Sequence, residues 1–286
     1  MKVILSPNPY RDRGLKTAQA AAKVLHEVGV QTCFCLPFEP DPHFELPRNV
    51  VYDDIDSEMQ NTDVLVCFGG DGTLLHAAKL AYNYNTPILG VNMGSVGFLA
   101  ELEHSELKKL AVLAKQDYKT EERMMLSVSL FHEGHEIYSD LALNDVAITK
   151  GAVARVVDMT ICSDGEVISA ISGYGVVVST PTGSTAYSLS AGGPIVEPTA
   201  ENIIITPIAA HALQSNSFVL SRERVVEVKL GRQTRKTAYL SADGGRAVRL
   251  SSGDVIRISK AEHKISLIRL TERSFYQTLL SKLGKA

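Results

Sequence analysis

The sequence predicts an α/β N-terminal domain built on a parallel sheet, followed by a β-rich, β-sandwich-like C-terminal domain. Three observations carry the prediction. Short, uninterrupted apolar runs alternate with helical spacing through the first third of the chain, as buried parallel strands and crossover helices require. The character changes around Glu121. Beyond it, strand-like runs are separated by Glu133-Gly134 and Asp164-Gly165, the dipeptides of tight hairpin turns.

Taken in order, Val3 to Leu5 suits a buried strand that breaks at Ser6-Pro7-Asn8-Pro9. Leu15, Ala18, Ala22, Leu25 and Val28 follow at helical spacing, and Gly29 stands where a helix C-cap belongs. Val30 to Cys35 reads as a strand, and the proline-rich stretch Leu36 to Pro47 as a loop. Val64 to Phe68 is a second buried strand that runs into Gly69-Gly70-Asp71-Gly72-Thr73. Leu74 to Tyr84 reads as a helix, Pro87 to Val91 as a strand, and Ser105 to Lys115 as an amphipathic helix. A sheet of this kind binds ligands beyond the carboxyl ends of its strands.

In the second half, Met125 to Leu130, Glu136 to Tyr138, Val156 to Cys162 and Val167 to Ile171 read as strands. So do Val225 to Leu230, Thr237 to Leu240, Val248 to Leu250, Val255 to Ile258 and Lys264 to Leu270. Ser179 to Pro194 interrupts them, rich in Gly, Ser and Thr and poor in strand signal. Ser274 to Leu283 has helical apolar spacing. The expected domains are 1–121, completed by a closing helix over 272–286, and 122–271.

The 286 residues are 45% apolar and 21% charged, which is the composition of an ordinary globular protein. A net charge of −3 gives no general pull toward nucleic acid or anionic membrane, so an anionic ligand must be held by local features. The apolar N-terminal stretch is too short for a signal-peptide core, and nothing approaches transmembrane length. The expectation is a cytoplasmic protein with no nucleic-acid or membrane partner. Cys33, Cys35, Cys67 and Cys162 lack the paired spacing of a zinc site and read as free thiols in a reducing compartment.

Gly69-Gly70-Asp71-Gly72-Thr73 lies between a buried strand and a helix. Glycines there let the backbone approach a phosphate, and the helix start offers unpaired N–H groups. Neither a Rossmann fingerprint nor a Walker loop is present. Asp71 stands out, because a carboxylate in a phosphate cradle repels the ligand unless a metal neutralises it or it has a chemical role. Phosphoryl transfer supplies such a role. The same residues would also serve a tight turn in which Asp71 caps the helix.

Further segments resolve into a family. Val66 to Leu75 resembles the GGDGT segment that NAD kinases share with diacylglycerol and sphingosine kinases. Val91-Asn92-Met93-Gly94-Ser95-Val96-Gly97-Phe98-Leu99 resembles the next NAD kinase segment, and Leu143-Asn144-Asp145-Val146 is similar to its Asn-acid pair. Ser179 to Pro194 is a long match absent from the lipid kinases, and Phe275 to Leu283 resembles the family's closing helix.

The resemblance implies an enzyme that transfers the γ-phosphoryl group of ATP to the adenosine 2′-hydroxyl of NAD, with a divalent cation such as Mg²⁺. It implies a catalytic Asp71, acting as base on that hydroxyl or organising the hydroxyl and the metal. It places Gly72 and His76 beside the ligand, and Asn144 and Asp145 on the adenosine part. Thr185, Ala186, Tyr187, Ser188, Leu189 and Ser190 would line the adenine pocket. Arg155 would meet a phosphate from a neighbouring subunit of a homodimer or homotetramer. An amide and a carboxylate suit a ribose diol, and a tyrosine can stack on a base. Asn144 and Asp145 would equally start a turn, and Tyr187 would equally serve a core.

Two positions depart from the family pattern. Tyr174, in Ser172-Gly173-Tyr174-Gly175, stands where an Asp usually reaches the far half of the ligand, and Gly245 stands where a glutamine is common. Both touch the nicotinamide side, which implies altered affinity or an altered NAD versus NADH preference with the chemistry intact, or equally an ordinary family variant with a compensating contact. A catalytically weak NAD-sensing protein and a GGDGT lipid kinase are the alternative readings. The retained Asp71 opposes the first, and the segment Thr182 to Ser190 opposes the second.

Overall fold

A computed structural model of the protein describes residues 1–94, 97–151, 156–210, 216–231 and 237–283. Met1–Glu122 with Ile265–Ala286 forms one compact unit, and Arg123–Lys264 forms another.

The first unit is built on a seven-stranded sheet in the order Gln31–Phe34, Lys2–Pro7, Val64–Gly69, Ile88–Asn92, Ile265–Arg269 and Lys119–Arg123, with Leu102–Glu103 branching from Ile88–Asn92. The pairings of Lys2–Pro7, Val64–Gly69 and Ile88–Asn92 are parallel. Val64–Gly69 is buried along its whole length, which explains why its sequence is an unbroken apolar run. Helix Lys16–Glu27 buries Ala18, Ala21, Ala22 and Leu25, the stripe its spacing predicts. These residues share one core with Val3, Leu5, Val66, Phe68 and Leu89. Gly29 follows at a φ of 78°, as a C-cap glycine does.

Helix Asp71–Tyr84 lies close on the sheet through Leu74, Ala77, Ala78 and Ala81. A Cβ on Gly90 would come within 2.6 Å of a Leu74 methyl, so only glycine admits the helix at that distance. The helix begins at Asp71 and not at Leu74, with Gly70 as its N-cap. The glycines end the strand so abruptly that Asp71 is already in the first helical turn. His104–Lys115 is helical as expected but wound as a 3-10 helix, opened by a capping box between Glu103 and Glu106. A short helix that the apolar spacing does not announce, Ile55–Met59, is capped by Asp54, which accepts the Ser57 N–H.

One strand changes allegiance. The run 264–270 reads with the β-rich half, yet Ile265–Arg269 pairs in parallel with Ile88–Asn92 in the sheet of the first unit. The buried carboxylate of Glu101 fastens the end of that strand. It accepts the N–H groups of Leu270 and Thr271 at 2.9 and 2.6 Å and pairs with Arg269 at 3.1 Å.

The second unit comprises two six-stranded antiparallel sheets. One runs Glu166–Gly173, Val157–Ser163, Val226–Leu230, Val255–Lys260, Leu126–His132, His135–Ala142. The other runs Phe218–Ser221, Asn202–Ile208, Gly175–Ser179, Asp145–Lys150, Ala238–Ala242, Val248–Leu250. Val128, Ile161, Val228 and Ile256 of the first sheet share a core with Ile148, Val176, Ile205 and Leu240 of the second, which makes this a sandwich. Glu133-Gly134 and Asp164-Gly165 have positive φ at both residues, the backbone that two-residue hairpins need. Among the described residues no helix is long and apolar enough to cross a membrane. The four cysteines are free, and burial pushes the Cys67 thiol up to about 12.

Candidate active site

The first unit supplies a glycine-lined cradle. Strand Val64–Gly69 ends at two glycines, and the helix that starts at Asp71 leaves the N–H groups of its first turn without intrahelical partners. Gly69 is required by packing, since a Cβ there would fall 2.2 Å from Thr73 Oγ1. Gly70 and Gly72 have open space where a Cβ would stand. They open onto a cavity of about 260 Å³ that Asp71, Met93 and Gly97 also line.

Asp71 is held from both sides. Its Oδ2 accepts the N–H of Phe98 at 2.9 Å and its Oδ1 accepts the N–H of Leu99 at 3.1 Å. Gly97 makes this possible, because a Cβ there would sit 2.1 Å from Asp71 Oδ1. The segment Val91 to Leu99, singled out by resemblance, thus orients the carboxylate of the cradle. Asp71 caps no helix; it spends its acceptor capacity on a distant loop and faces the cavity with the rest.

Two cations line the same cavity, and neither carries a sequence signature of such a place. Arg11 follows the Pro7-Asn8-Pro9 break. Its N–H donates to the Asn8 carbonyl at 3.0 Å, and the Asn8 amide donates to Thr73 Oγ1 at 3.1 Å. Asp12, buried, accepts the N–H groups of Thr17 and Ala18 at the start of the next helix. The turn carrying Arg11 is therefore tied to the cradle on one side and to a helix on the other. Lys282 comes from helix Phe275–Leu283, and its ammonium lies 4.1 Å from the centroid of the Phe98 ring. His76, one turn beyond Gly72, is exposed and meets Phe38 edge-on at 6.2 Å.

The second unit assembles Asn144, Asp145 and the start of the long Gly/Ser/Thr segment. Asp243 accepts the successive N–H groups of Leu143, Asn144 and Asp145 at 2.7, 2.7 and 3.0 Å. Thr180 N–H donates to the Asn144 carbonyl at 2.9 Å, and a Cβ on Gly183 would lie 2.0 Å from that same oxygen. The Asn-acid pair and the Thr180-Pro181-Thr182-Gly183 stretch are thus one packed object. Asp145 is buried, and its carboxyl is pushed up to about 7. Burial is the main cause and the Asp243 charge the second, partly opposed by the Tyr187 N–H.

The adenine-pocket candidates divide. Asn144, Thr185, Ala186 and Leu189 are partly exposed, and Tyr187 and Ser190 are exposed. Ser188 is fully buried and shares a 2.9 Å hydrogen bond with Thr206, so its side chain serves the fold. Tyr174 stands apart from all of these. Register pairs Asp145 with Ser179 and Thr149 with Gly175, and Tyr174 is one residue further on, roughly 17 Å along the strands from Asp145. There the Lys150 ammonium lies 4.7 Å from its ring centroid. Arg155 lies outside the described residues.

Comparison with known proteins adds independent findings. A model of the ATP-NAD kinase N-terminal domain matches residues 8–118, and a model of the ATP-NAD kinase C-terminal domain matches residues 143–270. The chain is 36% identical to an NAD kinase of Ruminiclostridium cellulolyticum, over 99% of this chain and 97% of that one. It is 44% identical to one of Geobacter sulfurreducens, over 77% and 78%. Among solved structures it resembles yeast NADH kinase complexed with NADH, with a TM-score of 0.87 and 27% identity over 99% of this chain and 87% of that one. It also resembles an NAD kinase from Archaeoglobus fulgidus in complex with ATP, with a TM-score of 0.77 and 26% identity over the whole of both chains.

Proposed function

The chain belongs to the ATP-NAD kinase family of phosphotransferases, and we propose that it transfers the γ-phosphoryl group of ATP to the adenosine 2′-hydroxyl of NAD, giving NADP. The observation that carries the reading onto these residues is the carboxylate of Asp71, fixed by two backbone N–H groups at the mouth of a glycine cradle.

In this reading the N–H groups at the start of helix Asp71–Tyr84 bind phosphate oxygens, and Gly70 and Gly72 let them approach. Asp71 orients the attacking hydroxyl and receives its proton. Asn144 and Asp145 hold the adenosine part, and Tyr187 offers a ring to stack on the base. Thr185, Ala186, Leu189 and Ser190 complete the adenine side by backbone approach, whereas Ser188 supports them from behind.

A divalent cation fits the cradle, because Asp71 brings a carboxylate to a phosphate site. Among the described residues no three His, Cys, Asp or Glu side chains converge on a common point, so the nucleotide's own phosphates supply most of the ligands in this reading. Such an ion neutralises charge on the transferring phosphoryl group. Free thiols support a reducing, cytoplasmic compartment, and the proposed assembly is a homodimer or homotetramer.

Incubation with NAD, ATP and Mg²⁺, followed by measurement of NADP, tests the reading. NADP should form at enzymatic rates, and Asp71→Asn should abolish most turnover while NAD still binds. Binding of NAD without product in the unaltered protein would instead identify a sensor.

A further inference from the structure

We propose that Lys282, on the closing helix, binds the terminal phosphate of the donor and, with Arg11, grips its polyphosphate chain from two sides. The inference rests on the reading of the Asp71 cradle as the phosphoryl-transfer site and assigns it two cations. Both stretches matched by the family models end short of Lys282.

Three observations converge on this lysine. It lines the cavity onto which Gly70 and Gly72 open. Its ammonium lies 4.1 Å from the ring centroid of Phe98, whose own N–H donates to Asp71 Oδ2 at 2.9 Å. The Lys282 charge and the Asp71 carboxylate are therefore indexed to each other through one residue. Finally, among the described residues neither Lys282 nor Arg11 has a carboxylate within ion-pair distance, whereas Arg269 and Arg273 of the same unit are both paired.

A cation held against an aromatic face, with no carboxylate in ion-pair contact, keeps its donors and most of its charge available to an incoming anion. The helix N-terminus contributes only partial charges to a polyphosphate. Arg11 offers a planar fork of N–H donors, and Lys282 offers a compact charge on a flexible stem, able to follow a phosphoryl group as charge builds on it. The helix itself is anchored: Phe275 meets Phe98 at 6.4 Å, and Glu101 grips the segment that leads into it. The closing helix thereby becomes part of the donor site.

Kinetics of Lys282→Met with NAD and ATP, with inorganic tripolyphosphate as a competing probe, provide the test. The KM for ATP should rise or kcat fall by about tenfold or more, the loss of one charge-assisted phosphate contact. The KM for NAD should stay within about twofold, tripolyphosphate should inhibit less in parallel, and Lys282→Arg should recover most of the loss. Unchanged ATP kinetics and unchanged tripolyphosphate inhibition in Lys282→Met would overturn the assignment. So would an equal loss in Lys282→Arg accompanied by a lowered Tm, which would mark the lysine as a packing residue. A wild-type chain that makes no NADP from ATP would instead remove the parent reading, and that control is run first.

Discussion

Asp243 accepts the backbone N–H of Asn144 at 2.7 Å, and with the same carboxylate it holds the residues on either side. A side chain from one strand end thus fixes the backbone of another, and with it the direction in which Asn144 points. In Asp243→Asn the amide NH₂ turns a donor toward N–H groups that need acceptors. Hydrogen bonds to a charged partner contribute about 1.5–3 kcal/mol, so the KM for NAD should rise by roughly tenfold or more, with the KM for ATP little changed. Steady-state kinetics with each substrate varied in turn would check this; equal changes in both would argue for general unfolding instead.

The Asp145 carboxyl, raised from 3.8 to about 7, gives stability a pH signature. The unfolded chain ionises this group near 3.8, while the folded chain keeps it protonated until about 7. Between those values the folded state binds the extra proton, so its contribution to stability is complete at acid pH and declines as pH rises toward 7. Thermal unfolding from pH 5 to 8 should show this decline, and Asp145→Asn should flatten it. Parallel wild-type and variant curves would show that Asp145 titrates normally.

Gly97→Ala should damage chemistry more than folding. The added methyl would meet Asp71 Oδ1 at 2.1 Å and its Cγ at 2.9 Å, so the carboxylate must turn away. Displacement of a reacting group by about 1 Å costs on the order of 100-fold in rate, and kcat should fall accordingly while NAD binding persists. A kcat within a few-fold of wild type would mean that the loop gives way and Asp71 does not.

Ser188→Ala should behave in the opposite manner. Its hydroxyl bonds Thr206 at 2.9 Å with no exposed surface, and its loss leaves Thr206 only the longer 3.4 Å bond from Ser217, at a cost of about 0.5–1.5 kcal/mol. Urea unfolding should register that loss, with KM for NAD near the wild-type value.

Tyr174→Asp should shift the balance between dinucleotides. The substitution puts a carboxylate beside Lys150 where a ring now stands, and cancelling the ammonium charge removes a repulsion that the cationic nicotinamide of NAD feels and the neutral ring of NADH does not. The ratio of KM values should move toward NAD by a few-fold; unchanged KM for both would dismiss this position from recognition.

Much of the architecture is legible in the sequence because it follows local rules. Val64 to Phe68 is apolar without alternation, so it reads as a strand covered on both faces. Glu133-Gly134 and Asp164-Gly165 announce their hairpins. Ile265–Arg269 joins a different sheet from the one its place in the sequence suggests, because an apolar run does not say which partner it will find. Strands Asp145–Lys150 and Gly175–Ser179 escape a sequence reading, since the first is overshadowed by its Asn-acid pair and the second is short and runs directly into the Gly/Ser/Thr-rich segment. At the site, Asp71 and the Gly70-Asp71-Gly72 cradle stand out as chemistry. Asp243, Gly97, Arg11 and Lys282 do not, because each acts across a long stretch of chain and none carries a local signature of that role.

The return of Ile265–Arg269 to the sheet of the first unit bears on how the chain comes off the ribosome. Its neighbours Ile88–Asn92 and Lys119–Arg123 are synthesised long before it, so the gap between them stays open until the antiparallel unit has been made. The antiparallel unit is complete in sequence by then and emerges as an insertion in an unfinished host. Premature termination anywhere upstream of this strand leaves an open sheet, a species that quality-control proteases can recognise before any phosphate is transferred.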